Sequence, residues 1–164
     1  MAAKQSSPPR PRNETRQGDG RRAQSSSLQS PLTRSHLMNN RAVISTAAAP
    51  AAIGPYSQAV KVGNTVWISG QIPLDPETME VAEGGIEAET RQVFANLSAI
   101  AEAAGGSLDN SVKINISLTD LANFQAVNAV MAATFKEPYP ARACVQVAAL
   151  PKGVQVEIEA ILAI

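Results

Sequence analysis

The sequence Pro140-Ala141-Arg142-Ala143-Cys144-Val145-Gln146-Val147 begins the last quarter of the chain and alternates polar or small side chains with valines. A second alternating run, Val154-Gln155-Val156-Glu157-Ile158-Glu159-Ala160, follows it. A period of two with β-branched residues is typical of half-buried strands. Between the runs, Leu150-Pro151-Lys152-Gly153 has Pro and Gly where a tight turn favours them. We therefore predict an antiparallel closing hairpin.

The predicted hairpin has one polar face. It would gather an arginine, a cysteine, an amide and two carboxylates: Arg142, Cys144, Gln146, Glu157 and Glu159. One interpretation is a solvated outer face, on which a cross-strand Arg–Glu pair contributes a few tenths of a kcal/mol. The other interpretation is a functional site. The pattern alone does not separate the two.

Length and charge narrow the function classes. At 164 residues the chain is long enough for one domain with a proper core. The net charge of zero hides an asymmetry, because residues 1–41 contain eight basic and two acidic residues, whereas residues 42–164 contain six basic and twelve acidic ones. A domain with this excess of acidic residues is poorly suited to bind nucleic acid or an anionic membrane.

Cysteine and histidine usage excludes several chemistries. Cys144 is the only cysteine, so the chain has no internal disulfide, which is consistent with a reducing, cytoplasmic location. The only histidine, His36, lies in the basic N-terminal part. The body therefore has no Ser–His or Cys–His pair and no histidine ligand for a metal. We therefore predict no thiolate or histidine metal site in the body.

The N-terminal residues 1–41 are predicted to form a disordered basic tail, because they are rich in Ser, Arg, Gln and Pro. An organelle transit peptide is one explanation, although prolines and glycines interrupt any amphipathic helix. A basic arm that binds polyanions is another. We favour a tail produced by an upstream start, because Met38 lies just before the first strand-like residues. Residues 42–164 then form the folded domain.

The rest of the body alternates strand and helix patterns. The predicted elements are a strand at 42–45, a hairpin of 58–62 and 65–69 around Gly63-Asn64, a helix over 86–104, a strand at 112–118, and a helix capped by Thr119 or Asp120 that runs to Phe135. The order β, ββ, α, β, α, ββ predicts an α+β fold: a mixed sheet of about six strands with two helices on one face. The second face is covered by water or, as we favour, by another subunit.

Five motifs make the chain from about Val43 to Ile164 resemble a known family. They are Ala52-Ile53-Gly54-Pro55-Tyr56-Ser57-Gln58, Ile68-Ser69-Gly70-Gln71-Ile72-Pro73, Phe124-Gln125-Ala126-Val127-Asn128, Pro140-Ala141-Arg142-Ala143-Cys144, and Leu150-Pro151-Lys152-Gly153 continuing to Glu157-Ile158-Glu159-Ala160-Ile161. Together they resemble the RidA (YjgF) family of reactive-intermediate deaminases.

The resemblance implies a chorismate-mutase-like subunit and a homotrimer with sites in the clefts between subunits. It implies hydrolysis of 2-imino acids, formed from enamines such as 2-aminoacrylate, to 2-oxo acids and ammonia. It also implies that the hydrolase needs no cofactor. These chemical demands suit the residues, because a guanidinium can bind the substrate carboxylate in a bidentate fork and a glutamate can position water and accept its proton.

The resemblance assigns these roles to particular residues. Arg142 would anchor the carboxylate, and Glu157 would orient the water. Residue counting across the predicted hairpin disagrees, because it pairs Gln146 with Glu157 and Cys144 with Glu159, so that Glu159 lies nearer Arg142. A bulge or a site built from two subunits would reconcile the two results. We choose Glu157 and keep Glu159 as the alternative.

Further site residues each have a plainer interpretation. The family places the Cys144 backbone at the water site. We expect the Cys144 thiol to pack as a small apolar group rather than to take part in chemistry. Tyr56 either closes the pocket or packs on the surface. Ser69, with Gly70, either contacts a ligand or simply ends a strand. Asn128 is expected to be a satisfied buried amide, with a supporting role at the site as the minority interpretation. Gln146 stands where the family leads us to expect glutamate.

Two other function classes remain open. A binding protein that senses 2-oxo acids would need the same arginine anchor. Ribonuclease or translation-inhibitor activity is also attributed to the family that the chain resembles, although the acidic, histidine-free residues 42–164 argue against it. The sequence does not specify the substrate side chain.

Overall fold

The computed structural model describes residues 40–164, which contain one mixed six-stranded sheet and two α-helices. The strands lie in the order β1-β2-β3-β6-β4-β5. The elements are β1 (Arg41–Ile44), β2 (Ala59–Val62), β3 (Thr65–Gln71), α1 (Gly85–Ala103), β4 (Ser111–Leu118), α2 (Phe124–Thr134), β5 (Ala141–Gln146) and β6 (Val156–Ala163). The predicted α+β class, strand number and element order are confirmed.

The predicted closing hairpin is wrong. Both of its strands exist, but β4 lies between them, parallel to β5 and antiparallel to β6. The connection from β5 to β6 therefore crosses β4, and its turn residues form a short 3-10 helix, Pro151–Gly153, rather than a hairpin turn. Alternation identifies a strand but not its neighbour. The central place goes to β4, whose Ile114, Ile116 and Leu118 are fully buried or nearly so.

Helix α1 packs its predicted apolar stripe on the sheet. Val93, Leu97 and Ile100 are fully buried, and the helix ends before Gly105, whose φ of 91° is in the left-handed region that glycine adopts easily. Two polar residues of α1, Glu89 and Asn96, are buried as well. Each has hydrogen-bond partners in loops that cover the helix.

The second helix begins later than predicted. Asp120 accepts a hydrogen bond from the backbone N–H of Ala122 at 2.8 Å, which caps the short 3-10 helix Leu121–Asn123. The α-helix proper starts at Phe124 and ends at Thr134. The capping residue was thus predicted correctly, but it starts a 3-10 turn ahead of α2.

Two boundaries near the N-terminus differ from those in the prediction. Arg41 is not part of a tail, because it pairs with Val62 at the start of β1. Residues 1–39 of the predicted tail lie outside the described residues. Strand β2 starts at Ala59 because the buried Gln58 side chain instead binds the preceding loop, accepting from Thr46 N at 2.7 Å and donating to the Pro50 carbonyl at 2.8 Å.

The two faces of the sheet differ in what covers them. Both helices pack on one face and bury its aliphatic side chains. Apolar residues on the other face remain exposed: Val43 by 61%, Trp67 by 46% and Val145 by 52%. No helix among the described residues is long and apolar enough to cross a membrane.

Candidate active site

Arg142 lies on the edge strand β5, on the helix-covered side of the sheet. Its pairing partner is Ile114, a buried core residue, so the two side chains share that face. One guanidinium nitrogen, Nη1, donates to Asn128 Oδ1 at 2.6 Å, and the guanidinium carbon lies 5.0 Å from the centre of the Phe124 ring. Helix α2 therefore holds Arg142 with an amide and a cation–π contact.

The arginine has no carboxylate partner in the described part of the chain. Among residues 40–164, the single ion pair joins Arg91 and Glu87 on α1. Asn128 Oδ1 and, at 3.7 Å, Met131 Sδ both accept from Nη1, which leaves Nε and Nη2 without a partner among residues 40–164 and available to a planar anion. A structural ion pair, one of the two interpretations of Arg142, does not form within this part of the subunit.

A cavity of about 490 Å³ opens in front of Arg142. Its walls come from α2 and from the segment before β5, and its lining residues are Asn128, Met131, Ala132, Tyr139, Pro140 and Arg142. Asn128 is half-buried and contacts the arginine. The expectation that Asn128 is a buried amide is therefore wrong in its burial, and the contact with Arg142 fits the alternative of a supporting role at the site.

Cys144 and Gln146 follow Arg142 on the same face, and their side chains have packing roles. Cys144 is half-buried against the core, and burial raises the pKa of its thiol, against a smaller opposing effect of Arg142. A protonated thiol is a poor nucleophile. Gln146 Oε1 accepts from the backbone N–H of Leu121 at 2.9 Å, so it holds the start of the 3-10 helix before α2.

Glu157 lies on the opposite, open face of the sheet. Strand β6 pairs it with Ser117 of β4, whereas its buried neighbours Val156 and Ile158 face the helices. Its carboxylate lies against Gly70, where a Cβ atom would be only 2.9 Å from the Glu157 Cδ. The absence of a side chain at Gly70 therefore makes room for this carboxylate.

A second cavity, of about 410 Å³, contains Glu157. Three predicted site residues line it together, since Tyr56 and Gly70 stand beside Glu157. Lys152 also lines this cavity, and its ammonium group donates to the Met79 carbonyl at 3.1 Å. Sequence reasoning did not single out Lys152 as a site residue, although it is part of the Leu150-Pro151-Lys152-Gly153 motif.

The environment of Glu157 makes ionisation of its carboxyl group less favourable than it is in water. Burial raises the pKa of its carboxyl group, and the nearby charge of Glu159 raises it further. Glu159 is itself exposed and accepts a hydrogen bond from Asn115 Nδ2 at 2.8 Å. The counting that brought Glu159 close to Arg142 is wrong, because it assumed direct pairing of β5 with β6.

Hydrogen bonds to the backbone position the walls of the Glu157 cavity. The Tyr56 hydroxyl accepts from the backbone N–H of Ile53 at 3.2 Å, and Ser69 Oγ donates to the Ser57 carbonyl at 2.6 Å. Asn96 on α1 donates to the Leu74 carbonyl at 2.9 Å, which holds the loop after β3. Ser69 therefore has a local backbone partner in this subunit.

One subunit does not bring Arg142 and Glu157 together. Arg142 pairs with Ile114 and Glu157 with Ser117, three residues further along the intervening strand β4. With strands ~4.8 Å apart and ~3.3 Å per residue, the two positions are separated by ~10 Å across the sheet and ~10 Å along it. They also face opposite sides. We call the Arg142 cavity and the Glu157 cavity the two half-sites.

The donor groups suit a small organic anion better than a metal. Among residues 40–164, no three His, Cys, Asp or Glu side chains are grouped closely enough to hold an ion. The fold and the half-sites together define an α+β protein with an arginine available to a carboxylate and a separate glutamate with a raised pKa.

The family model for Endoribonuclease L-PSP matches residues 46–164. A curated relative, the 2-iminobutanoate/2-iminopropanoate deaminase of Dermatophagoides farinae, is 48% identical over 127 residues, which are 77% of this chain and 99% of the relative. A crystal structure of RidA from the Antarctic bacterium Psychrobacter sp. PAMC 21119 is 64% identical, with a TM-score of 0.73, covering 75% of this chain and 99% of that one. Escherichia coli TdcF with bound serine is 44% identical, with a TM-score of 0.72, covering 75% and 98%. The chain therefore belongs to the Endoribonuclease L-PSP family, which is the RidA (YjgF) family that its motifs resemble.

Proposed function

We propose that this protein hydrolyses 2-imino acids, and the enamines that tautomerise to them, to 2-oxo acids and ammonia. The observation that carries the proposal is Arg142, held by Asn128 and Phe124 at a cavity without a carboxylate partner among residues 40–164. Two relatives named 2-iminobutanoate/2-iminopropanoate deaminase, which are 48% and 50% identical to this chain, support the proposal.

Arg142 would bind the substrate carboxylate through its free N–H groups. Two parallel N–H···O bonds fix both the position and the plane of that carboxylate, which lysine does not do. The imine carbon is attached to the carboxylate carbon, so anchoring one places the other. Asn128 and Phe124 keep the guanidinium in place before substrate arrives.

Glu157 would position the water and carry its proton. Its ionised carboxylate accepts a hydrogen bond from water, which attacks C2 of the protonated imine, while the C=N π electrons move to nitrogen. Glu157 takes the proton released by the attacking water and returns one to nitrogen. As the C–N bond breaks, its electron pair leaves with ammonia, Glu157 accepts the hydroxyl proton, and that oxygen becomes the 2-oxo group. Glu157 then passes the proton to ammonia, which restores its carboxylate. Burial raises the pKa of the Glu157 carboxyl group, and a higher pKa makes its carboxylate a stronger base for the proton of the attacking water.

The reaction needs both half-sites, and we propose that a homotrimer supplies them. Arg142 of one subunit would face Glu157 of the next across the interface. The exposed apolar face of the sheet, with Trp67 and Val145, supports this assembly because it would be buried there. Tyr56 and Ser69 would then border the same cleft, and the Cys144 backbone would lie beside the water.

The direct test couples an enamine-generating dehydratase to this protein and follows 2-oxo acid appearance. Wild-type protein should accelerate the second step, and Arg142→Ala should lose most of that acceleration. If wild-type protein gives no acceleration, the deaminase proposal is wrong. If Arg142→Ala accelerates equally well, the anchor is wrong.

The variant Glu157→Gln distinguishes an enzyme from a protein that only binds 2-oxo acids. This variant should retain affinity for a 2-oxo acid, measured by calorimetry, and lose turnover. Equal turnover by both proteins would remove Glu157 from the mechanism.

Endoribonuclease activity is the second candidate, favoured by the name of the matching family model. Residues 42–164 carry six basic and twelve acidic side chains, a poor balance for binding RNA. Deleting residues 1–39, which leaves strand β1 intact, tests this function. Ribonuclease activity that survives in the purified 40–164 domain, and falls in Arg142→Ala, would favour it over the deaminase.

A further inference from the structure

Glu89 on α1 is a buried carboxylate that no step of the proposed reaction uses. It is 6% exposed and has no cationic partner among the described residues. Its Oε2 accepts from the backbone N–H of Gln155 at 2.9 Å, and its Oε1 accepts from Gln155 Nε2, also at 2.9 Å. Both carboxyl oxygens of this buried side chain thus accept hydrogen bonds from one residue.

Gln155 is connected to three parts of the fold. Besides its two bonds to Glu89, its carbonyl accepts from the backbone N–H of Thr119, which follows β4, at 3.1 Å. Its Oε1 accepts from Asn123 Nδ2 at 3.4 Å. Gln155 directly precedes β6, so these bonds fix the point at which that strand begins.

This network lies next to both half-sites along the chain. Glu157 follows Gln155 by two residues. Asn123 directly precedes α2, whose Phe124 and Asn128 contact Arg142. Glu89 is therefore connected to the backbone next to each half-site without lining either cavity.

Glu89 acts on Glu157 through the position of the backbone and not through its charge. The pKa of Glu157 responds to burial and to Glu159, and Glu89 is not among its causes. Removing one partner from a buried hydrogen-bonded carboxylate leaves the other polar groups unsatisfied, and the backbone moves to relieve them. A misplacement of about 1 Å at a reacting group lowers a rate by about 100-fold.

We propose that Glu89 is a positioning residue for the imine hydrolysis: through Gln155 it fixes the start of β6, so that Glu157 enters its cavity at the place where it orients water. This inference rests on the proposed deaminase function. It assigns Glu89 no contact with substrate, and it predicts an effect on kcat rather than on binding.

The test uses a graded series at the two positions. Glu89→Leu replaces the carboxylate with an apolar side chain of similar size, and Gln155→Ala removes the side-chain partner while the backbone N–H remains. Glu89→Gln is the conservative variant, since a flip of the Gln155 amide lets the new amide donate to Gln155 Oε1 and accept from Gln155 N–H, and a matching flip of Asn123 keeps the hydrogen bond between Asn123 and Gln155. Glu87→Ala, an exposed charge on the same helix, is the matched control.

In the dehydratase-coupled assay, Glu89→Leu and Gln155→Ala should lower kcat by about 10- to 100-fold with KM changed by less than about threefold. Glu89→Gln and Glu87→Ala should stay within about threefold of wild type. Unchanged kcat in folded Glu89→Leu and Gln155→Ala, or equal loss in Glu89→Gln and Glu89→Leu, would overturn the inference.

A second readout does not require turnover. NMR titration of the Glu157 carboxyl group should show its pKa moving toward the ordinary glutamate value in Glu89→Leu and staying in place in Glu89→Gln. The charged or titratable groups near Glu157, namely Glu159, Lys152 and Tyr56, are the same in every variant. If wild-type protein has no deaminase activity but this shift appears, the proposed function fails and the positioning role stands. If the pKa does not move, the positioning role fails.

Discussion

A single methyl group at Gly70 should separate activity from stability. A Cβ atom at this position would stand 2.9 Å from Cδ and 3.2 Å from Cγ of Glu157. Carbon atoms pack at about 3.5–4.0 Å, so in Gly70→Ala the Glu157 carboxyl group must shift by at least about 0.6 Å. It has room to do so, because its cavity is open.

This displacement should lower kcat by about 10- to 100-fold, equivalent to about 1.4–2.7 kcal/mol of transition-state stabilisation. Stability should change little. Gly70 does not have a positive φ, so alanine fits its backbone, and the loss of unfolded-state entropy offsets part of the steric cost. The assay is dehydratase-coupled 2-oxo acid formation beside thermal unfolding.

Gly105→Ala is the matched control. Gly105 has a φ of 91° and no atom within 4 Å of a built Cβ, so alanine there strains the backbone by about 1–2 kcal/mol without touching either half-site. Gly105→Ala should therefore lower Tm and keep kcat, the reverse of Gly70→Ala. A Gly70→Ala protein with wild-type kcat would refute the proposal that the Glu157 carboxylate must occupy this place.

Three further variants test other parts of the site. Asn128→Asp places a carboxylate where Arg142 now has an amide partner, so it should compete with substrate and raise KM by about tenfold or more; unchanged KM in initial-rate measurements would contradict the anchor. Glu159→Gln removes a like charge that raises the pKa of Glu157, and because Glu157 acts when ionised, the acid limb of the kcat/KM profile should move to lower pH; a fixed limb would exclude this coupling. Cys144→Ala should keep kcat within about threefold, since burial raises the pKa of this thiol and leaves it protonated; a loss of 100-fold would give the thiol a chemical role.

The sequence was sufficient for the elements and for the kinds of residue at the site. Alternation and helical spacing identified every strand and both α-helices, because those periods follow from backbone geometry. The motifs around Tyr56, Arg142 and Glu157 pointed to residues that do line cavities. Which cavity each residue lines was not predictable from the pattern.

Strand order was the missing information. The runs containing Arg142 and Glu157 looked like two halves of a hairpin, because a short turn-like segment joins them. Their separation by β4 depends on packing between distant parts of the chain, which periodicity does not report. The same error placed Arg142 and Glu157 on one face of the sheet, although they lie on opposite faces.

Polar contacts between distant parts of the chain were not predictable from the pattern. Glu89 is a charged residue type within the predicted helix, yet it is buried and accepts hydrogen bonds from Gln155. Asn128 was expected to be a buried amide, but it is half-buried and accepts a hydrogen bond from Arg142. In each case the partner is distant in sequence, by 66 residues for Glu89 and 14 for Asn128, so no local signal identifies it.

The separation of Arg142 and Glu157 onto opposite faces is tested most directly by subunit complementation. Arg142→Ala and Glu157→Gln proteins, each inactive alone, are unfolded together in equal amounts and refolded as mixed oligomers. If each site takes Arg142 from one subunit and Glu157 from the next, about a quarter of the sites in a random cyclic mixture carry both side chains, and deaminase activity should return to about a quarter of the wild-type value. Mixed oligomers, verified by mass spectrometry, that remain as inactive as either parent would contradict a site shared between subunits.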